Sequence, residues 1–240
     1  MTQQTERPIA THLPARTIAA AITVLVCSAF LMILNETVLA VALPRLMSDF
    51  SITATTGQWL TTGFMLTLGV AIPATGALLQ RHSVRTLFAV SAGFFLFGTV
   101  LAAVAPTFGI MMTARVVQAC GTAISMPLLM VTTLNIVPKE HRGTVMGLGS
   151  VVISVAPALG PAGAGAVIQS LSWHWLFGLM LPLGGALLVT GLIAIRLPHE
   201  PRQRRIDVPS LALSTAGFGG LVYGLSSIGA VVEGMADVAT

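Results

Sequence analysis

Charged residues are scarce in this sequence. Only 8% of its 240 residues are Asp, Glu, Lys or Arg, whereas soluble domains carry about 25%. Hydrophobic residues make up 55% of the chain, and the mean hydropathy is +0.89. A soluble protein with a large core would need more charge on its surface, so the composition predicts an integral membrane protein.

Residues for covalent or metal chemistry are also few. The two cysteines, Cys27 and Cys120, both lie in apolar segments, which favours packing over a disulfide or a metal site. The five histidines lie far apart, and the chain has no CxxC, HExxH, P-loop or GxSxG motif. These motifs would carry metal, phosphate or nucleophilic chemistry. We therefore expect no enzyme activity, no bound metal and no cofactor.

Long apolar segments dominate what is present. A helix rises about 1.5 Å per residue and must cross about 30 Å of hydrocarbon. Seven segments are long enough to do so. The first is too long to be a cleaved signal peptide. The predicted spans cover residues 18–43, 57–79, 86–105, 108–130, 144–168, 174–196 and 208–232.

The basic residues are distributed unevenly along the chain. Arg45 lies in the opposite set of loops and Arg115 lies within a span. This asymmetry predicts a cytoplasmic N-terminus, and it explains a basic pI without nucleic-acid binding. The other ten, out of twelve Lys and Arg, lie in the N-terminal tail and alternate loops: Arg7, Arg16, Arg81, Arg85, Lys139, Arg142, Arg196, Arg202, Arg204 and Arg205.

The same reading divides the chain into regions. Trp59, Trp173 and Trp175 fall at the non-cytoplasmic ends of spans, where an aromatic belt is expected. The charged loop from 196 to 207 is the best boundary inside the chain. The predicted regions are a cytoplasmic tail (1–17), a six-helix transmembrane bundle (18–196), a basic linker (197–207), a seventh transmembrane helix (208–232) and a divergent tail (233–240).

Two charged residues lie within spans, and such residues are candidate functional groups because their burial is costly. Glu36 lies toward the outer part of the first span, and Arg115 lies in the fourth. Glu36 is either a buried carboxyl that exchanges protons or a group solvated at the outer interface. Arg115 is either part of that chemistry or a structural clamp. Asn35 and Gln118 add neutral hydrogen-bonding groups, and Gln118 shares a helix face with Arg115.

Asn35 and Glu36 point about 100° apart on a helix, so both cannot face one cavity squarely. In the fifth span Ala156, Gly160 and Ala164 recur every four residues, which predicts one smooth face for close helix approach. Pro157 and Pro161 in the same segment predict a helix that bends. Such a helix is either a kinked packing element or a pliable element of the transport mechanism.

Four motifs lie in order along these spans. LNETVLAVALP (34–44) occupies the first span, GALLQRHSVR (76–85) the loop after the second, and RVVQACG (115–121) the fourth. The fourth motif runs from Gly147 through Ala156 and Gly160-Pro161 to Ala164-Gly165. Together they resemble the major facilitator superfamily. They are most similar to the fourteen-span drug:proton antiporters, and within these to the lincomycin-resistance subgroup.

The resemblance implies a fold and a set of roles. It implies a six-helix bundle made of two inverted three-helix repeats, followed by a seventh helix. Asn35 stands at the position where the family has an acid, and in this chain the acid is the next residue, Glu36. The proton-coupling candidates are Asn35, Glu36, Arg115 and Gln118. The cytoplasmic gate motif keeps Gly76, Arg81 and Arg85, while Gln80 and Ser83 replace the usual Asp and Gly. The antiporter motif comprises Gly147, Ala156, Gly160, Pro161, Ala164 and Gly165, with alanine at two glycine positions.

The implied activity is proton-coupled efflux of amphiphilic drugs across a bacterial cell membrane. The proton gradient would supply the energy, with no cofactor. The expected partners are the lipid bilayer, the drug and protons. A fourteen-span transporter needs about twice this length, so we expect the chain to correspond to an N-terminal half whose C-terminal half is missing. The alternative is a transport-incompetent fragment or a half-transporter that needs a partner chain.

Overall fold

The computed structural model describes residues 14–197, and positions 213, 216, 217, 219–221 and 224 beyond them. All of the positions between 213 and 224 that it describes are helical. A short 3-10 turn at Lys139–His141 precedes α5. The helices within 14–197 are α1 (Ala15–Asp49), α2 (Ala54–Arg81), α3 (Val84–Ala103), α4 (Phe108–Ile136), α5 (Arg142–Ser170), α6 (His174–Gly178) and α7 (Met180–Ala194).

Among the described residues, six stretches are long and apolar enough to cross a membrane, and α6 and α7 together form the sixth, His174–Ala194. The predicted fold class, an all-α membrane protein with six spans and a further helix, is confirmed. The division into five regions stays a prediction. Residues 198–207 of the linker, 225–232 of the seventh helix and the tail 233–240 lie outside the described residues, as do 1–13.

The helices extend beyond the apolar segments that predicted them. α1 continues through Pro44 to Asp49, and α4 continues to Ile136, six residues beyond each predicted end. A helix can extend into the headgroup region, where its polar last turn needs no hydrocarbon. The hydroxyls of Thr53, Ser83 and Thr107 accept from backbone N–H groups at the starts of α2, α3 and α4. These are ordinary N-caps.

The bundle is organised around α4 and α1. α4 packs against α2 and α3, and α1 packs mainly against α5, with smaller contacts to α4 and α7. One cluster of buried side chains includes Leu39, Leu60 and Phe177. A second lies toward the other end of the bundle and includes Leu25 and Leu128. The outward faces of α3 and α7 expose large apolar side chains, as surfaces in contact with lipid do.

Glycines bring α3 and α4 unusually close together. A Cβ atom at Gly121 would lie 2.6 Å from the carbonyl oxygen of Ser91 and 2.9 Å from the backbone nitrogen of Phe95. A Cβ atom at Gly98 would lie 2.8 Å from the carbonyl oxygen of Ala114. The Ser91 hydroxyl donates to the Gly121 carbonyl over 2.7 Å. Small residues permit this approach, and hydrogen bonds across it stabilise the helix pair.

This contact predicts the effect of one added methyl group. Gly121→Ala should lower the free energy of unfolding by about 1–3 kcal/mol, because backbone atoms of α3 must move to admit it. Gly93→Ala in α3 is the matched control, since a Cβ there meets nothing within 4 Å. Thermal unfolding of the purified protein in one detergent compares the two. Equal midpoints for both variants and wild type would contradict the close contact.

Candidate functional site

A fully buried arginine lies at the centre of the candidate site. Arg115 on α4 is 0% exposed. Its Nη1 donates to Oε1 of Gln118 over 3.0 Å, and its Cζ lies 4.1 Å from the centre of the Phe64 ring on α2. The aromatic face and the amide oxygen both favour a positive charge at this position.

The amide of Gln118 continues the hydrogen-bonded chain to α3. Its Nε2 donates to Oγ1 of Thr99 over 3.0 Å. The Thr99 hydroxyl in turn donates to the backbone carbonyl of Phe95 over 2.7 Å. Gln118 and Thr99 are both 0% exposed. Side chains from α2, α3 and α4 therefore fix the guanidinium together.

Part of the guanidinium is left without acceptors. Nε and Nη2 of Arg115 are buried and have no hydrogen-bond partner within the part of the chain that the structure describes. Burying an unpaired charge costs several kcal/mol. A group able to accept from these two donors would remove much of that cost. The arrangement is therefore suited to an exchangeable anionic or polar partner.

Glu36 on α1 is the carboxyl whose charge acts on this arginine. Its side chain is half-buried, and it interacts electrostatically with Arg115. The interaction is not a direct hydrogen bond, because the free donors of Arg115 have no such partner among the described residues. A carboxyl close to a buried cation can gain and lose a proton with a large change in interaction energy.

Asn35 and Glu36 occupy different environments, as their angular separation predicted. Asn35 is 1% exposed, whereas Glu36 is half-buried. The Oδ1 atom of Asn35 has no hydrogen-bond partner among the described residues. The structure thus brings Glu36, Arg115 and Gln118 to one site, and it places Asn35 in the packed interior beside them on α1.

The gate-motif residues lie near the C-terminal end of α2 and at the start of α3. Gly76 and Arg81 are exposed on α2, and Arg85 is exposed at the start of α3. Ser83, which stands where the motif has glycine, caps α3 by accepting from the backbone N–H of Thr86 over 3.1 Å. That departure from the motif therefore has a local structural use. The gating role stays a prediction.

The fifth span is an unbroken helix despite Pro157 and Pro161. Ala156, Gly160 and Ala164 are buried, and α5 packs mainly against α1. The spacing therefore predicted the contact face correctly. A Cβ atom at Gly160 would collide with the Thr37 side chain of α1. Of the other antiporter-motif residues, Gly147 and Pro161 are exposed and Gly165 is half-buried.

An apolar cavity lies between α1 and α5. It has a volume of about 580 Å³ and is lined by the first half of α1, the start of α5 and the connection between α4 and α5. Its polar groups come from Thr23, Cys27 and His141. A cavity of this size and character suits an apolar or amphiphilic molecule. No group of metal-ligating side chains was found in the described residues.

Sequence reasoning missed Thr99, Phe64 and one role of tryptophan. Thr99 and Phe64 carry no recognisable motif, and only their packing places them beside Gln118 and Arg115. Trp173 lies at the end of a span, as the sequence indicated, but its side chain is packed inside the bundle. It is 4% exposed and donates from Nε1 to Oδ2 of Asp49 over 2.6 Å, because the end of α1 reaches the start of α6. Trp59 and Trp175 are exposed.

The α1–α5 face predicts a graded response to substitution. Gly160→Ala should lower the free energy of unfolding by about 1 kcal/mol, because Thr37 must rotate or α5 must move away from α1. Gly163→Ala on the same helix is the control, since its Cβ would meet nothing within 4 Å. Denaturation in one detergent measures both. A larger loss for Gly163→Ala than for Gly160→Ala would contradict the assigned face.

Comparisons with known proteins identify a family and a fold. The Major Facilitator Superfamily profile matches residues 25–236. The lincomycin resistance protein LmrB of Bacillus subtilis is 45% identical over 205 residues, which are 85% of this chain and 43% of LmrB. The uncharacterized transporter YcnB of the same organism is 44% identical over 206 residues, or 86% of this chain and 44% of YcnB. The chain thus spans somewhat less than half the length of these relatives.

Two solved structures share the fold. A bacterial homologue of the human lysosomal transporter Spinster, in an inward-facing and unoccupied conformation, superposes with a TM-score of 0.61 at 17% identity. That match covers 81% of this chain and 46% of the other. The POT family transporter PepTSo superposes with a TM-score of 0.68 at 13% identity, covering 89% of this chain and 54% of PepTSo. At such identities the likeness concerns the fold alone.

Proposed function

The chain belongs to the major facilitator superfamily, and from that membership we propose that it acts in proton-coupled export of amphiphilic drugs, as the N-terminal half of an exporter. The observation that carries the proposal is the fully buried Arg115, which has two unpaired donors and interacts electrostatically with the half-buried Glu36. A buried cation with unpaired donors is costly, and a charged residue within a membrane span marks a candidate functional site. The identity to lincomycin resistance proteins supports the substrate class.

In the proposed cycle Glu36 binds and releases the coupled proton. Protonation converts the carboxylate to a neutral acid, which removes the anionic partner of Arg115. Stabilisation of the guanidinium charge then depends more on its hydrogen bond to Gln118 and its contact with the face of Phe64. Because these contacts come from α2 and α4, a proton on α1 changes the balance of packing among three helices. Such a change can bias one arrangement of the bundle over another.

Substrate contacts in this proposal are mainly apolar. The cavity of about 580 Å³ between α1 and α5 offers few polar groups, so shape and hydrophobicity would set a broad selectivity. Arg81 and Arg85, at the end of the bundle that we assign to the cytoplasm, would contribute to the gate. The antiporter motif on α5 would supply the closely packed helix that moves relative to a second half.

The proposed location is the cell membrane of a bacterium, with the N-terminus in the cytoplasm. In the described residues, the α2–α3 and α4–α5 connections and the adjoining helix ends carry Arg81, Arg85, Lys139 and Arg142. The α1–α2 and α5–α6 connections and their adjoining helix ends carry Arg45 and no other described lysine or arginine. This is the asymmetry that orients membrane proteins.

A second candidate is a half-transporter that exports nothing until it associates with another chain. α5 favours it, because only four of its 29 residues are buried and all four are Gly or Ala. Its opposite face exposes Leu148, Val151 and Leu159. Vesicles containing the 240-residue chain alone, compared with vesicles containing the product of its complete reading frame, separate the two candidates.

Substitution of the two charged residues tests the proposed coupling. In everted vesicles with an imposed pH gradient, Glu36→Gln and Arg115→Ala should each reduce gradient-driven lincomycin transport by about 100-fold or more, the scale of an essential proton-transfer group. Glu140→Gln, at an exposed position in the loop before α5, is the matched control. It should retain wild-type transport. Undiminished gradient-driven transport in both variants would refute the assigned roles.

Thiol labelling tests the proposed orientation. In a background with Cys27 and Cys120 replaced by Ser, we expect Ser51→Cys, in the exposed turn after α1, to react with a membrane-impermeant reagent in intact cells. His82→Cys, in the exposed turn before α3, should react only after the cells are permeabilised. The reverse pattern would place the N-terminus outside.

A further inference from the structure

Thr99 links the candidate site to α3. It lies outside the sequence motifs described above. Its hydroxyl lies 3.0 Å from Nε2 of Gln118 and is buried, at 0% exposure. The adjacent Gly98 is what lets it come so close. A Cβ atom at Gly98 would lie 2.7 Å from Cγ of Gln118, so the backbones of α3 and α4 nearly touch at this level.

The direction of the hydrogen bonds fixes the orientation of the Gln118 amide. Thr99 gives its single hydroxyl proton to the carbonyl of Phe95 over 2.7 Å, so toward Gln118 its oxygen can only accept. The NH2 end of the amide must therefore face Thr99. The Oε1 end then faces Arg115, which can only donate. A flipped amide would bring NH2 against Nη1 of Arg115, two donors with no acceptor between them.

We propose that Thr99 is a positioning residue for the proton-coupling site: through the amide of Gln118 it holds the Arg115 guanidinium in place. The inference rests on the proposed function and adds to it a residue on α3. Thr99 touches neither Glu36 nor the coupled proton, and it acts through Gln118 alone. Without the Thr99 hydroxyl the NH2 group of Gln118 loses its acceptor, and the hydrogen bond between Gln118 and Arg115 is held less firmly.

Few other titratable groups face this site. In α2, α3 and α5 the charged residues are at helix ends: Arg81, Arg85 and Arg142. Apart from Arg115, α4 contributes only the thiol of Cys120. α1 contributes Glu36 within the span, α6 contributes His174 at its start, and α7 contributes none. The remaining titratable side chains of α1 are Arg16, Cys27, Arg45 and Asp49. A change in pH dependence caused by Thr99 must therefore act through the pair formed by Glu36 and Arg115.

Two measurements on the full protein test the proposal. The first is the pH profile of gradient-driven lincomycin transport in vesicles. Thr99→Val, which keeps the shape and removes the hydroxyl, should lower the rate about tenfold and shift the midpoint of the profile by about half a pH unit or more. Thr99→Ser should restore both. Thr133→Val, which removes a buried hydroxyl bonded to the Leu129 carbonyl in its own helix, should leave both unchanged.

The second measurement reads the position of the guanidinium without transport. In protein labelled with ¹⁵N-arginine, the signal of Arg115 is assigned by its loss in Arg115→Lys. We expect slow exchange of its side-chain protons in wild type and in Thr99→Ser, and faster exchange in Thr99→Val. If Thr99→Val does not accumulate in the membrane, Thr99→Ala replaces it in both measurements, and the same results are expected.

A double substitution separates positioning from general stability. If Thr99 acts through Gln118, Thr99→Val should have no further effect in a Gln118→Leu background. Additive losses, an unchanged pH profile, or failure of Thr99→Ser to restore function would each overturn the proposal. Wild-type protein without gradient-driven transport, but with Arg115 exchange that depends on Thr99, would refute the proposed function and leave the positioning role supported.

Discussion

The buried guanidinium of Arg115 is the constraint on which the arrangement of the bundle depends. An arginine removed from both water and lipid headgroups needs partners, because an uncompensated buried charge costs several kcal/mol. α2 supplies the Phe64 ring, α4 supplies Gln118, and α3 supports Gln118 through Thr99. α1 supplies the electrostatic partner, Glu36. Four helices are therefore held in relation to one side chain, and its incomplete hydrogen bonding leaves room for a proton-dependent change.

Small residues make this arrangement possible. Gly98 and Gly121 let α3 and α4 come within backbone contact, which brings the Thr99 hydroxyl into reach of Gln118. Gly160 does the same between α5 and α1, beside Thr37, one residue from Glu36. Lipid tails are as apolar as the side chains, so the hydrophobic effect does not drive helices together within a membrane. Close packing and interhelical hydrogen bonds determine which helices associate. The geometry of the polar site therefore depends on the glycine contacts.

Much of the fold could be predicted from the sequence, because hydrocarbon thickness and the cost of unpaired backbone groups leave few choices. The six spans, the buried face of α5 and the pairing of Arg115 with Gln118 followed from length and helical periodicity. Thr99 and Phe64 could not be predicted, since threonine and phenylalanine are common in apolar helices and only tertiary packing selects these two. The burial of Trp173 could not be predicted for a similar reason: its partner Asp49 lies 124 residues away in the chain.

The central claim is that the Glu36 carboxyl exchanges protons under the influence of Arg115. Infrared difference spectroscopy of the protein in lipid, recorded across a pH titration and on addition of lincomycin, tests it most directly. We predict a carboxylic acid band that is lost in Glu36→Gln, changes when the drug is added, and titrates at a different pH in Arg115→Gln. A Glu36 band that keeps one protonation state from about pH 5 to 9, with and without drug, would contradict the account.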